Sequence, residues 1–153
     1  MKILALDLGT TMGWATDIHG SFDTGVNVFD VKRGESPGMR YLRFNGWLAQ
    51  FAPDGWRPDL IVYEQTHNRG GAATEVAAGF ATRVQEFCAR QRIEHAAVHS
   101  ATLKKFATGK GNADKPAMVA AVARRWKAVI DDNEADAIAL FHYALAELIP
   151  LRT

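Results

Sequence analysis

The 153-residue chain has one cysteine, Cys88, which leaves nothing from which to build a disulfide framework or a multi-cysteine zinc site. No run of about 18 apolar residues exists, so no segment reads as a membrane span. The opening run, Met1 to Leu6, is too short for a secretory leader and meets the carboxylate Asp7 at once. Repeats, linkers and low-complexity tracts are missing, which argues against solenoid, collagen-like or disordered architectures. Charge of one sign is missing as well. Eighteen Lys and Arg against seventeen Asp and Glu give a net charge of +1, and so no global case for a nucleic-acid or membrane partner. What is present is 48% apolar residues in a length that suits one domain, residues 1–153.

The apolar residues alternate between two patterns. Residues 2–8, 12–17 and 21–29 are short apolar runs separated by tight gaps, the pattern of a three-stranded antiparallel meander. Residues 32–37 read as a polar loop. Met39, Leu42, Trp47, Leu48 and Phe51 recur at helical spacing and predict a helix over about 38–52. A strand at 59–64, a helix at 74–91 and a strand at 93–98 follow. The 74–91 helix carries Val76, Phe80, Val84, Phe87 and Cys88 inward, so Cys88 reads as core. A short helix at 101–107, a glycine-punctuated loop at 108–113 and helices at 115–129 and 132–148 complete the chain. In these last two, Met118, Val122, Trp126 and Val129, then Ile138, Phe141, Leu145 and Leu148, are the expected inward residues. Strands that alternate with helices after a meander should lie parallel to the first strand. The expected fold is α/β, a mixed five-stranded sheet with three antiparallel strands, then two parallel ones, and helices on both faces. Sites in such sheets lie beyond the carboxyl ends of the strands.

Acids stand at those ends. Asp7 closes the first strand and Glu64 the fourth, and neighbouring parallel strands would bring both to one edge. Paired carboxylates repel unless a cation sits between them, and a hard divalent ion such as Mg²⁺ meets that need. The cluster Asp131-Asp132-Asn133-Glu134-Ala135-Asp136 opens the last helix. Asp131 with Glu134 has the form of a capping box. Asp132 and Asp136, spaced i, i+4, share a helix face, and Asp136 abuts an apolar run where an unpaired acid is costly. Acids from three segments could hold two divalent ions for phosphoryl chemistry.

The near-zero net charge is a cancellation. Residues 101–130 hold Lys104, Lys105, Lys110, Lys115, Arg124, Arg125 and Lys127 against Asp114 alone, and four acids follow within 131–136. Lysines beside a metal-holding acid cluster suit a phosphodiester. A solvated helix face accounts equally for Arg124, Arg125 and Lys127.

These segments resemble a known family. Asp7-Leu8-Gly9-Thr10-Thr11-Met12-Gly13-Trp14-Ala15, Val62-Tyr63-Glu64-Gln65, Leu103-Lys104 with Thr108 through Lys115, and Glu134-Ala135-Asp136-Ala137-Ile138-Ala139 resemble, in order, the motifs of RuvC-type Holliday-junction resolvases. That family lies in the RNase H-like superfamily. The resemblance spans nearly the whole chain. It implies a homodimeric endonuclease of four-way or branched DNA, dependent on Mg²⁺ or Mn²⁺ with two ions per site. It implies a cytoplasmic location, in a bacterial or phage-infected cell. It implies that Asp7, Glu64 and Asp136 bind metal and that Lys104 and Lys115 act near the phosphate, Lys115 in a catalytic role. The family spaces its last two ligands i, i+3, which puts Asn133 at the first position, while Asp132, one residue earlier, reaches the same face as a metal ligand. Lys105, Lys110, Arg69 and His67 are further candidates for contact with DNA, His67 where the family commonly places an aromatic residue. The small residues Ala77, Ala78, Gly79 and Ala81 could serve a dimer contact or packing within the chain. Two other readings stand beside the resolvase, a RuvC-like nuclease that processes RNA and a non-catalytic binding module. The Asp7-to-Thr11 segment also resembles the phosphate loop of actin-like kinases, but those need two such domains around the nucleotide.

Overall fold

The computed structural model describes residues 1–66 and 70–152. Five strands form one sheet in the order β3-β2-β1-β4-β5: β1 Ile3–Asp7, β2 Thr11–Thr16, β3 Asp23–Val28, β4 Leu60–Glu64 and β5 Glu94–Val98. The β1–β2 and β2–β3 pairs are antiparallel, and β1–β4 and β4–β5 are parallel. The expected mixed sheet is therefore the observed one. The central strands β1 and β4 are buried on both faces, which is why ILAL and LIVY read as unbroken apolar runs. The edge strand β5 (EHAAV) buries only Val98.

Alternation along the strands divides the core in two. Ile3, Ala5, Leu60 and Val62 face α3 (Ser100–Thr108), α4 (Lys115–Arg125) and α5 (Asp132–Tyr143). Leu4, Leu6, Ile61 and Tyr63 face α1 (Met39–Ala49) and α2 (Ala72–Gln91). Cys88 lies in this second core, where burial pushes its thiol up to about 12, so it stays an inert apolar filler.

The differences from the sequence pattern are local. Helical spacing puts Leu42 inward, yet it is 63% exposed; Phe44 takes the core position of α1 instead. The fourth helix ends at Arg125 rather than Val129. There the Trp126 and Lys127 amides both bond the Val122 carbonyl, and the Trp126 ring stacks flat on His142 at 4.7 Å. The last helix changes pitch at Ala144–Leu148, a π turn with Ile149 N–H donating to the Ala144 carbonyl. The wider pitch shifts the side-chain phase, so Leu145 is 41% exposed while Ala144 is buried.

Candidate metal centre

Asp7 ends β1 and Glu64 ends β4, one strand spacing apart at the same sheet edge, because these strands run parallel with Leu6 opposite Tyr63. Asp136 enters from the second turn of α5. Its approach depends on Gly13, which pairs with Asp7 across β1–β2. A Cβ on Gly13 would lie 1.9 Å from the Asn133 carbonyl oxygen, so only glycine lets the first turn of α5 rest on the sheet. Asp131 caps that helix, accepting from the amides of Asn133 at 2.8 Å and Glu134 at 3.0 Å. Glu134 does not complete the expected capping box. It accepts from Thr24 Oγ1 at 2.8 Å, and Thr24 Oγ1 accepts in turn from Lys127 Nζ at 2.6 Å. This chain of bonds ties the start of α5 to the edge strand β3.

Asp7, Glu64 and Asp136 each offer a carboxylate oxygen, and these atoms all lie within 4.8 Å of one another. At that spacing two ionised carboxylates repel by about 3.5 kcal/mol or more at an effective dielectric of about 20. Burial and then the charges of Asp136 and Glu64 hold the Asp7 carboxyl well above the usual carboxylate range. Burial, then Glu64 and Asp132, push Asp136 up to about 7, against the opposing pull of Lys104 and Lys115. The nearby lysines thus fail to neutralise the group. A hard divalent cation would, and an all-oxygen donor set without His or Cys suits Mg²⁺ or Mn²⁺.

A cleft of about 610 Å³ opens over the three acids, walled by Lys104 of α3, Lys115 of α4, and Asp132 and Asn133 of α5, among others. Asp132 stands beside the triad, its Oδ2 3.4 Å from Lys115 Nζ. Both Asp132 and Asn133 face the cleft, so both remain at hand as a further donor. Lys115 is the first residue of α4, which Asp114 caps by accepting from the Ala117 amide at 2.9 Å. Lys105 and Lys110 are exposed and stand outside the cleft wall. His67 and Arg69 lie outside the described residues.

Two basic residues of that stretch also make structural bonds. Arg125 donates to the carbonyls of Phe106 at 2.5 Å and Ala107 at 3.0 Å, closing the end of α3, and its guanidinium lies 4.3 Å from the Trp126 ring centre. Lys127 holds Thr24. Gly13 is the functional residue that residue chemistry did not single out; a glycine inside a strand pattern was its signal. Gly79 is explained within the chain, since a Cβ there would meet the Tyr41 hydroxyl of α1 at 2.2 Å.

No family model matches the chain. It is 27% identical over 143 residues to the crossover junction endodeoxyribonuclease RuvC of Streptomyces avermitilis, a match covering 90% of this chain and 81% of that one. A Thermus thermophilus RuvC structure superposes with a TM-score of 0.70 at 19% identity, covering 95% of this chain and 96% of the other. The structure of T. thermophilus RuvC in complex with a Holliday junction substrate gives a TM-score of 0.71 at 17% identity, covering 92% and 90%. The sheet order and these superpositions show an RNase H-like fold. Sequence and fold lead to the same relatives, since each of these three matches is a RuvC. The chain is similar in sequence and in fold to RuvC-type resolvases.

Proposed function

We propose that this chain is a structure-selective endonuclease that cuts four-way (Holliday) or other branched DNA by hydrolysing a phosphodiester. The observation that carries this reading is the carboxylate triad at the ends of parallel strands, walled by lysines. The named activity of the S. avermitilis relative agrees with it. Asp7, Glu64 and Asp136 would hold divalent ions, two per site and Mg²⁺ or Mn²⁺, with Asp132 or Asn133 as the further donor. When bound, such ions supply the positive charge that stabilises the phosphoryl transition state and that makes water acidic enough to attack. The protein's own contribution is placement. The rigid ends of β1 and β4 fix two acids, and α5, seated on Gly13, fixes the third. Lys104 and Lys115 face the same cleft and would hold the non-bridging phosphate oxygens. Lys115 is 83% exposed and paired with Asp132 across 3.4 Å, so an arriving phosphate can take it over. Water adds to phosphorus, and the 3′ oxygen leaves with a proton, giving 5′ phosphate and 3′ hydroxyl ends.

We also propose a homodimer, whose two sites would make paired cuts in a symmetric junction, acting in the cytoplasm. No helix among the described residues is long and apolar enough to cross a membrane. The deciding experiment incubates purified protein with a synthetic four-way junction and Mg²⁺. Paired nicks near the branch point, lost in Asp7→Asn, are expected. Absence of nicks with the unaltered protein, or undiminished nicking by the variant, would refute the assignment.

A further inference from the structure

Loop 29–38 lies outside the metal cleft, yet it starts at the same edge of the sheet. Strand β3 runs parallel to β1 through the intervening β2, with Val26 opposite Gly13 and Gly13 opposite Asp7. The chain leaves β3 where the Phe29 amide donates to the Thr10 carbonyl at 2.7 Å, three residues past Asp7. Two strand spacings separate β3 from β1, about 10 Å. That is less than the width of a DNA major groove, about 12 Å.

The loop is held in shape and its cations face outward. Glu35 accepts from the Lys32 amide at 2.7 Å and is gripped by both Nη atoms of Arg43. Arg43 Nη1 also donates to the Asp30 carbonyl at 3.2 Å. This fork anchors the loop to α1, with Gly34 taking the positive φ of +85° that the turn requires. Lys32 and Arg33 lie at the tip, both exposed. Arg40, in the first turn of α1, has a buried Nε with no hydrogen-bond partner among the described residues. Residues 32–43 thus carry four cations against the single Glu35. The lysines of α3 and α4 lie on the other side of the triad, following β5. The acids therefore sit between two basic arms.

Resting on the reading of the cleft as the cleavage site, we propose that loop 29–38 is a second phosphate clamp, in which Lys32 and Arg33 grip the backbone of a duplex arm leaving the cleft on the β3 side. Its contacts are to phosphates and carry no sequence preference.

Anisotropy of a labelled four-way junction, with Ca²⁺ in place of Mg²⁺ and salt varied from about 50 to 200 mM, tests the clamp. The variants are Lys32→Ala/Arg33→Ala and a control, Arg90→Ala, at the end of α2 remote from this edge. Two lost phosphate contacts flatten the slope of log affinity against log salt by about 1.8. Over this fourfold salt range the double variant should lose roughly tenfold less affinity than the unaltered protein, and bind more weakly at the low-salt end. Arg90→Ala should match the unaltered protein. An Arg/Lys exchange, Lys32→Arg/Arg33→Lys, should restore the slope. If the unaltered protein binds the junction and the double variant binds with the same affinity and slope, the clamp is refuted while the endonuclease reading stands. If the unaltered protein binds no branched DNA, both fall.

Discussion

Replacing Asp136 by asparagine should make the metal-free protein more stable while removing its activity. The carboxyl is pushed from 3.8 to about 7, with burial as the first cause and Glu64 and Asp132 next. Each pH unit of such displacement corresponds to about 1.4 kcal/mol, so holding the group ionised costs roughly 4 kcal/mol above pH 7. Rearrangement of the half-buried acids and counter-ions reduces the observable gain to about 2 kcal/mol. The sign follows from proton uptake. Between about pH 4 and pH 7 the folded protein keeps a proton that the unfolded chain has lost. Stability therefore falls as pH rises through this window and stays low above it. The asparagine side chain carries no such proton, and its amide removes one charge from the triad. Urea denaturation in EDTA, from about pH 4.5 to about pH 8.5, should show the unaltered protein losing stability across the window and Asp136→Asn losing less. At about pH 8 the variant should melt roughly 4–8 °C higher. Added Mg²⁺ should stabilise the unaltered protein more at about pH 8 than at about pH 5, and the variant little at either. Identical pH profiles in EDTA for the two proteins would refute the reasoning that the acids are held together against their repulsion.

Four further outcomes follow from particular contacts. Gly13→Ala should cost about 3 kcal/mol in urea denaturation, since its Cβ meets Asn133 backbone that cannot swing away. Gly79→Ala meets only the end of the Tyr41 side chain and should cost about 1 kcal/mol. Thr24→Val cuts the Lys127–Thr24–Glu134 chain of bonds and should cost about 1 kcal/mol, read from the same denaturation midpoints. Arg125→Ala removes the closure of α3 and the stack on Trp126; it should cost about 2 kcal/mol in melting while leaving junction affinity unchanged, in contrast to loss of Lys104.

The main architecture was legible in one dimension because its signals are local. Unbroken apolar runs marked β1 and β4 as central, and period 3.6 marked the helices. Asp7, Glu64 and Asp136 stood out because a carboxylate closing or adjoining an apolar run needs a reason. The lysines of 104–115 stood out by lopsided charge. Helix phase was less legible. Leu42 and Leu145 fit the spacing as well as Phe44 and Ala144 do, and only the packing partner, or a π turn, selects between them.

Taken alone, the sequence determined that strands end in acids and that one segment is basic, since residue identity and short-range periodicity are enough for both. Tertiary structure decided which acids meet. The register of β1 on β4 sets Asp7 beside Glu64, and the close seat of α5 on Gly13 adds Asp136. It also sorted the cations, turning Arg125 and Lys127 to structural bonds and Lys104 and Lys115 to the cleft. Charge in a sequence is a sum, whereas electrostatic work depends on distance, and only the fold sets distances between residues far apart along the chain.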